Sequence, residues 1–490
     1  MDSPVFDDSP MPDPPVEFVN THSPVRRSRG WTWLAWVAII LTVVLMALPL
    51  QLSDDPTATD SSIAIQTIQA RYLVGAASIF PENRELLLQQ LDEMFGHGPV
   101  THQLIGAVLV GELIGPEEAI EVIDDIDSQI EVGSLKASAE DTEAVHFLTK
   151  LQTSRIGKQN GEEPISPEQL QSGRTLLQER LGWVGRLAMT PPDSDDHTER
   201  KNLKEQARRS LFTIMGAFGL ALVAFLVGTL IQLTFWGLAI GGWLKSGIRP
   251  LAGDSGIYAE TFALWMVVFV TLNVVVLFLP LPSRSMVWLF IPQVGSLGVL
   301  AWPVLRGLRW SDVRRDVGLT FQPQAWSAPF VGIGAYLAAA PVVAAAMVVT
   351  FLLIFLISLT SGAEEAVAEP GHPIVDHILR GSWTTKIQLM CVAIFAAVPE
   401  EIMFRGFLYR HLRAASENWG YVPSVAFATL FNSFLFAIIH PQGLLGLPIL
   451  MGLATVFSLV REWRGSLVPC MITHALVNAG TTTLLLLVTE

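Results

Sequence analysis

From Leu211 onward the chain is a succession of apolar runs broken by short polar connections. About 20 consecutive apolar residues suffice for a helix to cross a bilayer, so these runs predict a polytopic membrane bundle. Spans fall near 211–237, 259–280, 286–305, 326–359, 385–411, 421–440, 444–461 and 465–488. The 326–359 run is longer than one crossing needs, and is expected to tilt or to break at Pro341. Only 16% of residues are charged, against about 25% in soluble domains, which fits a chain that meets lipid over much of its length.

The N-terminal part reads differently. Residues 1–25 are rich in Pro, Asp and Ser without apolar periodicity, and are expected to be a disordered tail. Arginines at 26, 27 and 29 precede the apolar run 31–52, which is long enough for one crossing and lacks a small-residue cleavage site. Residues 26–52 are therefore expected to be a retained anchor. Residues 53–207 hold 27 acidic and 12 basic side chains, so most of the chain's formal charge of −14 lies there. Such an acidic segment repels phosphates, which argues against a nucleic-acid partner. Its apolar residues recur at helical spacing, as at Leu86, Leu87, Leu91 and Met94, and prolines punctuate the blocks. It predicts an all-α soluble domain of short hairpins, inserted between the anchor and the spans 208–325, and suited to docking a protein partner. The fold class is thus all-α: about eight C-terminal spans, one N-terminal anchor and an inserted helical soluble domain. Cys391 and Cys470 both lie in apolar runs, so neither a disulfide framework nor a cysteine zinc site is expected.

Basic residues orient the bundle. Lys245 and Arg249, then Arg306, Arg309, Arg314 and Arg315, then Arg410 and Arg413, then Arg461 and Arg464 fall in alternate connections. The positive-inside rule puts these connections, and the N-terminus, in the cytoplasm. The other connections hold Arg284 and an acidic 360–384 loop with Glu364, Glu365, Glu369 and Asp376. Residues 53–207 then lie outside the cytoplasm, although Lys204, Arg208 and Arg209 sit on the wrong side of the rule. A multi-pass protein of the cell membrane is expected.

Three polar patterns remain inside the last spans. The stretch VPEEIMFRGF carries Glu400, Glu401 and Arg405; FNSFLFAIIH ends on His440; THALVNAG carries His474 and Asn478. Each charge at mid-helix costs roughly 2.5–3.5 kcal/mol to insert, and such residues usually face a bundle interior. Glu401 and Arg405 are four apart with the acid first, the favourable order for an ion pair. Glu400 lies about 100° round the helix and faces elsewhere. One carboxylate reads as structural and its neighbour as reactive. His474 and Asn478 share a face and can both donate to one oxyanion. Each pattern alone also has a bland explanation: interhelical glue, an interfacial histidine, a packing pair.

Together they resemble a known family. EEIMFR is similar to the Glu-Glu-x-x-x-Arg motif of the CAAX-protease and bacteriocin-processing (CPBP, or Abi) intramembrane proteases. Phe436 to His440 resembles their Phe-x-x-x-His motif, and His474 to Asn478 their His-x-x-x-Asn motif. The resemblance covers roughly residues 327–489, so 326–490 is expected to be the protease core. It implies an intramembrane endopeptidase acting on a peptide or protein, prenylated or unmodified. It further implies that Glu400 with His440 activates water, that Arg405 holds Glu401 in a supporting place, and that His474 and Asn478 stabilise the oxyanion. Glu400, His440 and His474 are also a possible zinc set, but the chain lacks HExxH and any His pair four apart, and a metal-independent reaction is favoured. Two other functions compete. One is a silent membrane scaffold, of an immunity or secretion type, acting through 53–207. The other is a transporter relaying protons through buried carboxylates, which calls for inverted repeats the sequence does not display.

Overall fold

The computed structural model describes residues 31–47, 58–79, 84–160, 165–191, 197–249, 251, 255–279, 286–320, 325–361, 378 and 381–489. The expected tail 1–25, Arg284 and the acidic residues of the 360–384 loop lie outside them. Among the described residues every regular element is a helix.

Helix α1 (Thr32–Ala47) is the apolar segment expected as an anchor; its flanks lie outside the described residues. The acidic region is built from α2 (Ala58–Ala77), α3 (Arg84–Phe95), α4 (Val100–Leu113), α5 (Pro116–Val132), α6 (Ala139–Asn160), α7 (Pro167–Leu181) and α8 (Trp183–Ala188). Local chemistry sets their ends. Ser166 caps α7 by accepting from the Gln169 backbone, with Pro167 in the first turn where no partner for its missing N–H is needed. Helix α4 is largely apolar and, apart from His102, buried from Val100 to Val110, so it forms the centre about which the other helices pack. Leu91, Leu104, Val108, Ile123, Leu148, Leu177 and Val184 share that core.

Helix α9 (His197–Ile240) leaves this core and continues as the first span. At about 66 Å it is long enough for both tasks. Its root is fixed by Arg200, whose guanidinium grips Glu112 of α4 through two bonds of 2.6 and 3.1 Å. Further on, Phe218, Leu220 and Leu230 are more than half exposed. Side chains of that kind on a span are solvated by lipid.

The remaining elements are α10 (Gly256–Phe278), an irregular crossing at Met286–Leu305 containing α11 (Phe290–Gly295) and α12 (Trp302–Leu305), then α13 (Trp310–Val317), α14 (Ala328–Ser361), α15 (Trp383–Glu401), a π-helical stretch (Ile402–Leu408), α16 (Tyr409–Ala415), α17 (Tyr421–Ile438), α18 (Gly443–Arg464) and α19 (Val468–Thr489). Eight segments among the described residues are long and apolar enough to cross a membrane, and they coincide with the eight expected spans. Helix α14 runs through Pro341 without a break. The bundle core is aromatic: Phe262 of α10 meets Phe404 edge-on at 5.1 Å, and Phe404 meets Phe436 at 5.1 Å. Arg410 and Arg461, read from sequence as loop arginines, are instead 3% and 1% exposed and helical. Both lie within helices that continue beyond them, to Ala415 and Arg464.

Candidate active site

The site begins at an irregularity. Pro399 lies inside α15 and offers no N–H to the carbonyl one turn back. Immediately after Glu401 the helix widens to π geometry over Ile402–Leu408, all of it buried. Such stretches often mark functional positions, and they bring residues four apart more nearly into line.

Arg405 Nη1 lies 3.0 Å from Glu401 Oε1, with both side chains wholly buried. Arg405 Nη2 donates to the Ala454 carbonyl of α18 at 3.1 Å. The guanidinium also sits 4.6 Å from the Phe436 ring and 5.0 Å from the Phe457 ring, a cation–π contact on each flank. Phe457 in turn stacks on His474 at 5.0 Å. Neither aromatic clamp was singled out from sequence. Phe436 begins a motif that carried a signal; Phe457 sits in an apolar run and carried none.

His474 Nδ1 is 2.9 Å from Glu401 Oε1. Glu401, paired with Arg405, is an acceptor, so Nδ1 carries the proton and Nε2 is the nitrogen left for Glu400, 3.8 Å from its Oε2. His440 repeats this logic. Its Nδ1 contacts the Phe436 carbonyl, which can only accept, and its Nε2 lies 3.9 Å from the same Glu400 Oε2. Three helical segments thus bring two imidazole nitrogens and one carboxylate oxygen round a common point. The separations exceed a direct hydrogen bond and are of the size that one intervening water closes. All three atoms are acceptors in these tautomers, so a water donating to two of them is chemically suited to the gap.

The depth of His440 follows from helix lengths. Taken as the end of a full span, it would lie near the outer surface, away from Glu400. But α17 starts at the same end of the bundle as α16 and is only about 26 Å long. Some 22 Å of helix separates Ala415 from Glu400, about the same distance. The turn after α17 therefore delivers His440 to the level of Glu400.

Asn478 is placed one turn further along α19. Its Nδ2 donates to the Ala393 carbonyl of α15 at 2.8 Å, tying the two helices together. An amide nitrogen has two protons, and one remains.

Glu400, His440 and His474 are a donor set that zinc accepts, with bonds of about 2.0–2.1 Å and hence ligand atoms about 3.3 Å apart in a tetrahedral site. The separations of 3.8 and 3.9 Å are wider, and among the described residues no group of three His, Cys, Asp or Glu is arranged to hold a metal ion.

Residues 382–480 match a family model described as Rce1-like, Type II CAAX prenyl endopeptidase Rce1-like. Comparison with curated proteins and with solved structures finds no match. The matched segment starts at the cap of α15 and spans the π stretch and the Glu400, His440 and His474 convergence. Residues 382–480 belong to that family, within a multi-pass membrane protein.

Proposed function

We propose that this chain is an intramembrane endopeptidase in which Glu400 is the general base. The observation that carries this is the approach of His440 Nε2 and His474 Nε2 to one oxygen of Glu400 from separate elements, in a partly buried site. A water held there gives one hydrogen bond to His440 Nε2 and loses a proton to Glu400. The hydroxide oxygen bonds to the peptide carbonyl carbon, and the carbonyl oxygen becomes an oxyanion. To donate to that oxyanion, His474 takes up a proton from bulk water at Nε2 before the attack, while Nδ1 keeps its own, and retains both through the cycle. Glu401 stands at Nδ1 to stabilise the resulting imidazolium, and Arg405 holds Glu401 in position. The second amide proton of Asn478 is the further donor. Collapse of the intermediate breaks the C–N bond, and Glu400 returns its proton to the leaving amine. Positioned general bases contribute about 10²–10⁴-fold, and oxyanion donors a comparable factor.

The reaction is proposed to run without metal, since the separations favour water. The nitrogen and carboxylate chemistry keeps a zinc form as a second reading, in which Glu400, His440 and His474 would be the ligands and the metal would supply Lewis acidity. Loss of activity on chelation, restored by zinc, would select it. The substrate is proposed to be a peptide or protein with a lipid-modified end. In support, a cleft of about 280 Å³ between α9, α14 and α18 is walled by Phe235, Val331, Ala335, Val456 and Trp463, side chains suited to a hydrocarbon chain. The arginine-rich connections are proposed to face the cytoplasm of the cell membrane, with 53–207 on the opposite side as a docking domain for a protein partner. Cleavage by purified parent and Glu400→Ala, reconstituted at equal abundance, tests the reading; equal turnover removes Glu400 from the mechanism. A phenotype that survives loss of Glu400 and His440, but not of 53–207, would favour the scaffold alternative.

A further inference from the structure

Away from the Glu400 site, the polar end of the bundle contains a second constellation that the endopeptidase reading does not use. Arg249 from the α9–α10 connection, Arg315 at the end of α13, Arg410 of α16 and Arg461 of α18 line one cavity of about 290 Å³. Among the described residues the only carboxylate in its wall is Asp316. Four guanidinium groups drawn from four segments repel one another, so the fold needs a reason to gather them.

Their pairing shows what is missing. Arg461 is 1% exposed and donates only to backbone, from Nε to the Arg405 carbonyl at 3.3 Å and from Nη2 to the Asp316 carbonyl at 3.0 Å. Among the described residues its buried Nη1 has no hydrogen-bond partner. Arg410, 3% exposed, donates to the Arg249 carbonyl, and among the described residues its Nε has no partner. Neither arginine takes part in an ion pair among the described residues. A buried N–H left unmade costs about 1–3 kcal/mol, and more when the group is charged. Arg315, by contrast, is satisfied by Asp312 at 2.7 Å. Asp316 Oδ2 accepts from the Tyr258 hydroxyl at 2.9 Å; burial pushes its carboxyl upward while Arg410 and Arg315 pull it down, and it is one carboxylate against four guanidinium groups. Glycines let the backbone close in around this arginine cluster. Gly318 has φ +86°, and a Cβ there would come within 2.8 Å of the Arg461 guanidinium; a Cβ on Gly465 would meet the Gly247 carbonyl oxygen at 2.2 Å.

We propose that this cavity is a binding site for a phosphate-bearing anion, seated among the guanidinium groups of Arg461, Arg410 and the more exposed Arg249. Forked guanidinium donors match phosphate oxygens, and charge-assisted bonds of this kind are the strong ones. The cavity opens at the ends of the spans, at headgroup level, where anionic phospholipids are drawn to arginine clusters. The same chemistry would admit soluble phosphate or pyrophosphate. Because Arg461 Nε holds the backbone of Arg405, an occupant would brace the π stretch that carries the Glu401–Arg405 pair.

The test uses the full-length protein in nanodiscs of equimolar phosphatidylcholine and phosphatidylglycerol, followed by native mass spectrometry, with thermal melting in phosphatidylcholine alone plus or minus pyrophosphate at matched ionic strength. Arg249→Glu is the variant, because Arg249 is exposed and its reversal leaves the buried arginines in place. Selective retention of phosphatidylglycerol, about tenfold weaker in the variant, supports the site with a lipid occupant. A melting rise with pyrophosphate that the variant loses, without lipid selectivity, supports it with a soluble occupant. If the parent discriminates neither anion, or Arg249→Glu binds both as well as the parent, the proposal is overturned.

Discussion

Arg405→Met is the most informative perturbation of the site's scaffold. Methionine fills much of the same volume between Phe436 and Phe457 but leaves Glu401 without its cation. In the parent, Arg405 supplies one ion-pair bond of 3.0 Å, one bond of 3.1 Å to the Ala454 carbonyl and two cation–π contacts at 4.6 and 5.0 Å. Removing one member of a buried pair costs about 3–5 kcal/mol, because the other charge stays behind unmatched. Among the described residues Glu401 Oε2 has no hydrogen-bond partner, so only the His474 Nδ1 bond to Oε1 remains to absorb the loss. Restoring neutrality should therefore help. In the Arg405→Met background, Glu401→Gln is expected to recover about 2 kcal/mol, a coupling in the range seen for residues in contact. Equilibrium unfolding of the four proteins in one detergent gives the cycle. A single-variant cost below about 1 kcal/mol, or strictly additive effects, would refute the view that Arg405 neutralises Glu401.

Other expectations follow from the same coordinates. Glu112→Ala should destabilise the helical region by about 3 kcal/mol by stranding Arg200, read as faster limited proteolysis between α4 and α9. Burial alone would raise the Asp141 carboxyl, but the Ser138 backbone and hydroxyl and Arg180 outweigh it and hold the group below 3.8. The stability this adds is present above the unfolded value and is lost as pH falls through the lower folded one. The cost of Asp141→Asn, measured by denaturation, should thus be full at neutral pH and shrink below pH 3.8. Asn478→Ala should lower kcat by about 10²-fold if its amide serves the oxyanion; an unchanged kcat with lowered stability would confine it to the bond with Ala393.

How much of this was legible in the sequence depends on the kind of signal. The spans were readable because lipid demands long apolar runs, and the eight expected segments coincide with eight helices. The Glu401–Arg405 pairing was readable from spacing alone. Helix α4 escaped notice because periodicity reveals a helix only when one side is polar, and α4, apart from His102, is buried through Val110. The π stretch had no marker beyond Pro399. That His440 would reach Glu400 was not legible from spacing, because it depends on α17 stopping at Ile438 and on the turn after it. Arg461 was placed in a loop because charge was taken to end a span; its stem lies inside the bundle and its guanidinium meets backbone carbonyls there.

The central claim is that Glu400 and His440 act on one water. Its direct measurement is the turnover of a farnesylated peptide substrate by the parent, Glu400→Gln, His440→Gln and the double variant, each reconstituted at equal abundance. Groups that work as a unit are non-additive. Each single change is expected to lower kcat by about 10²-fold or more, and the double change no further than the more damaging single one. Multiplying effects, or a Glu400→Gln protein that cleaves as fast as the parent, would contradict the account.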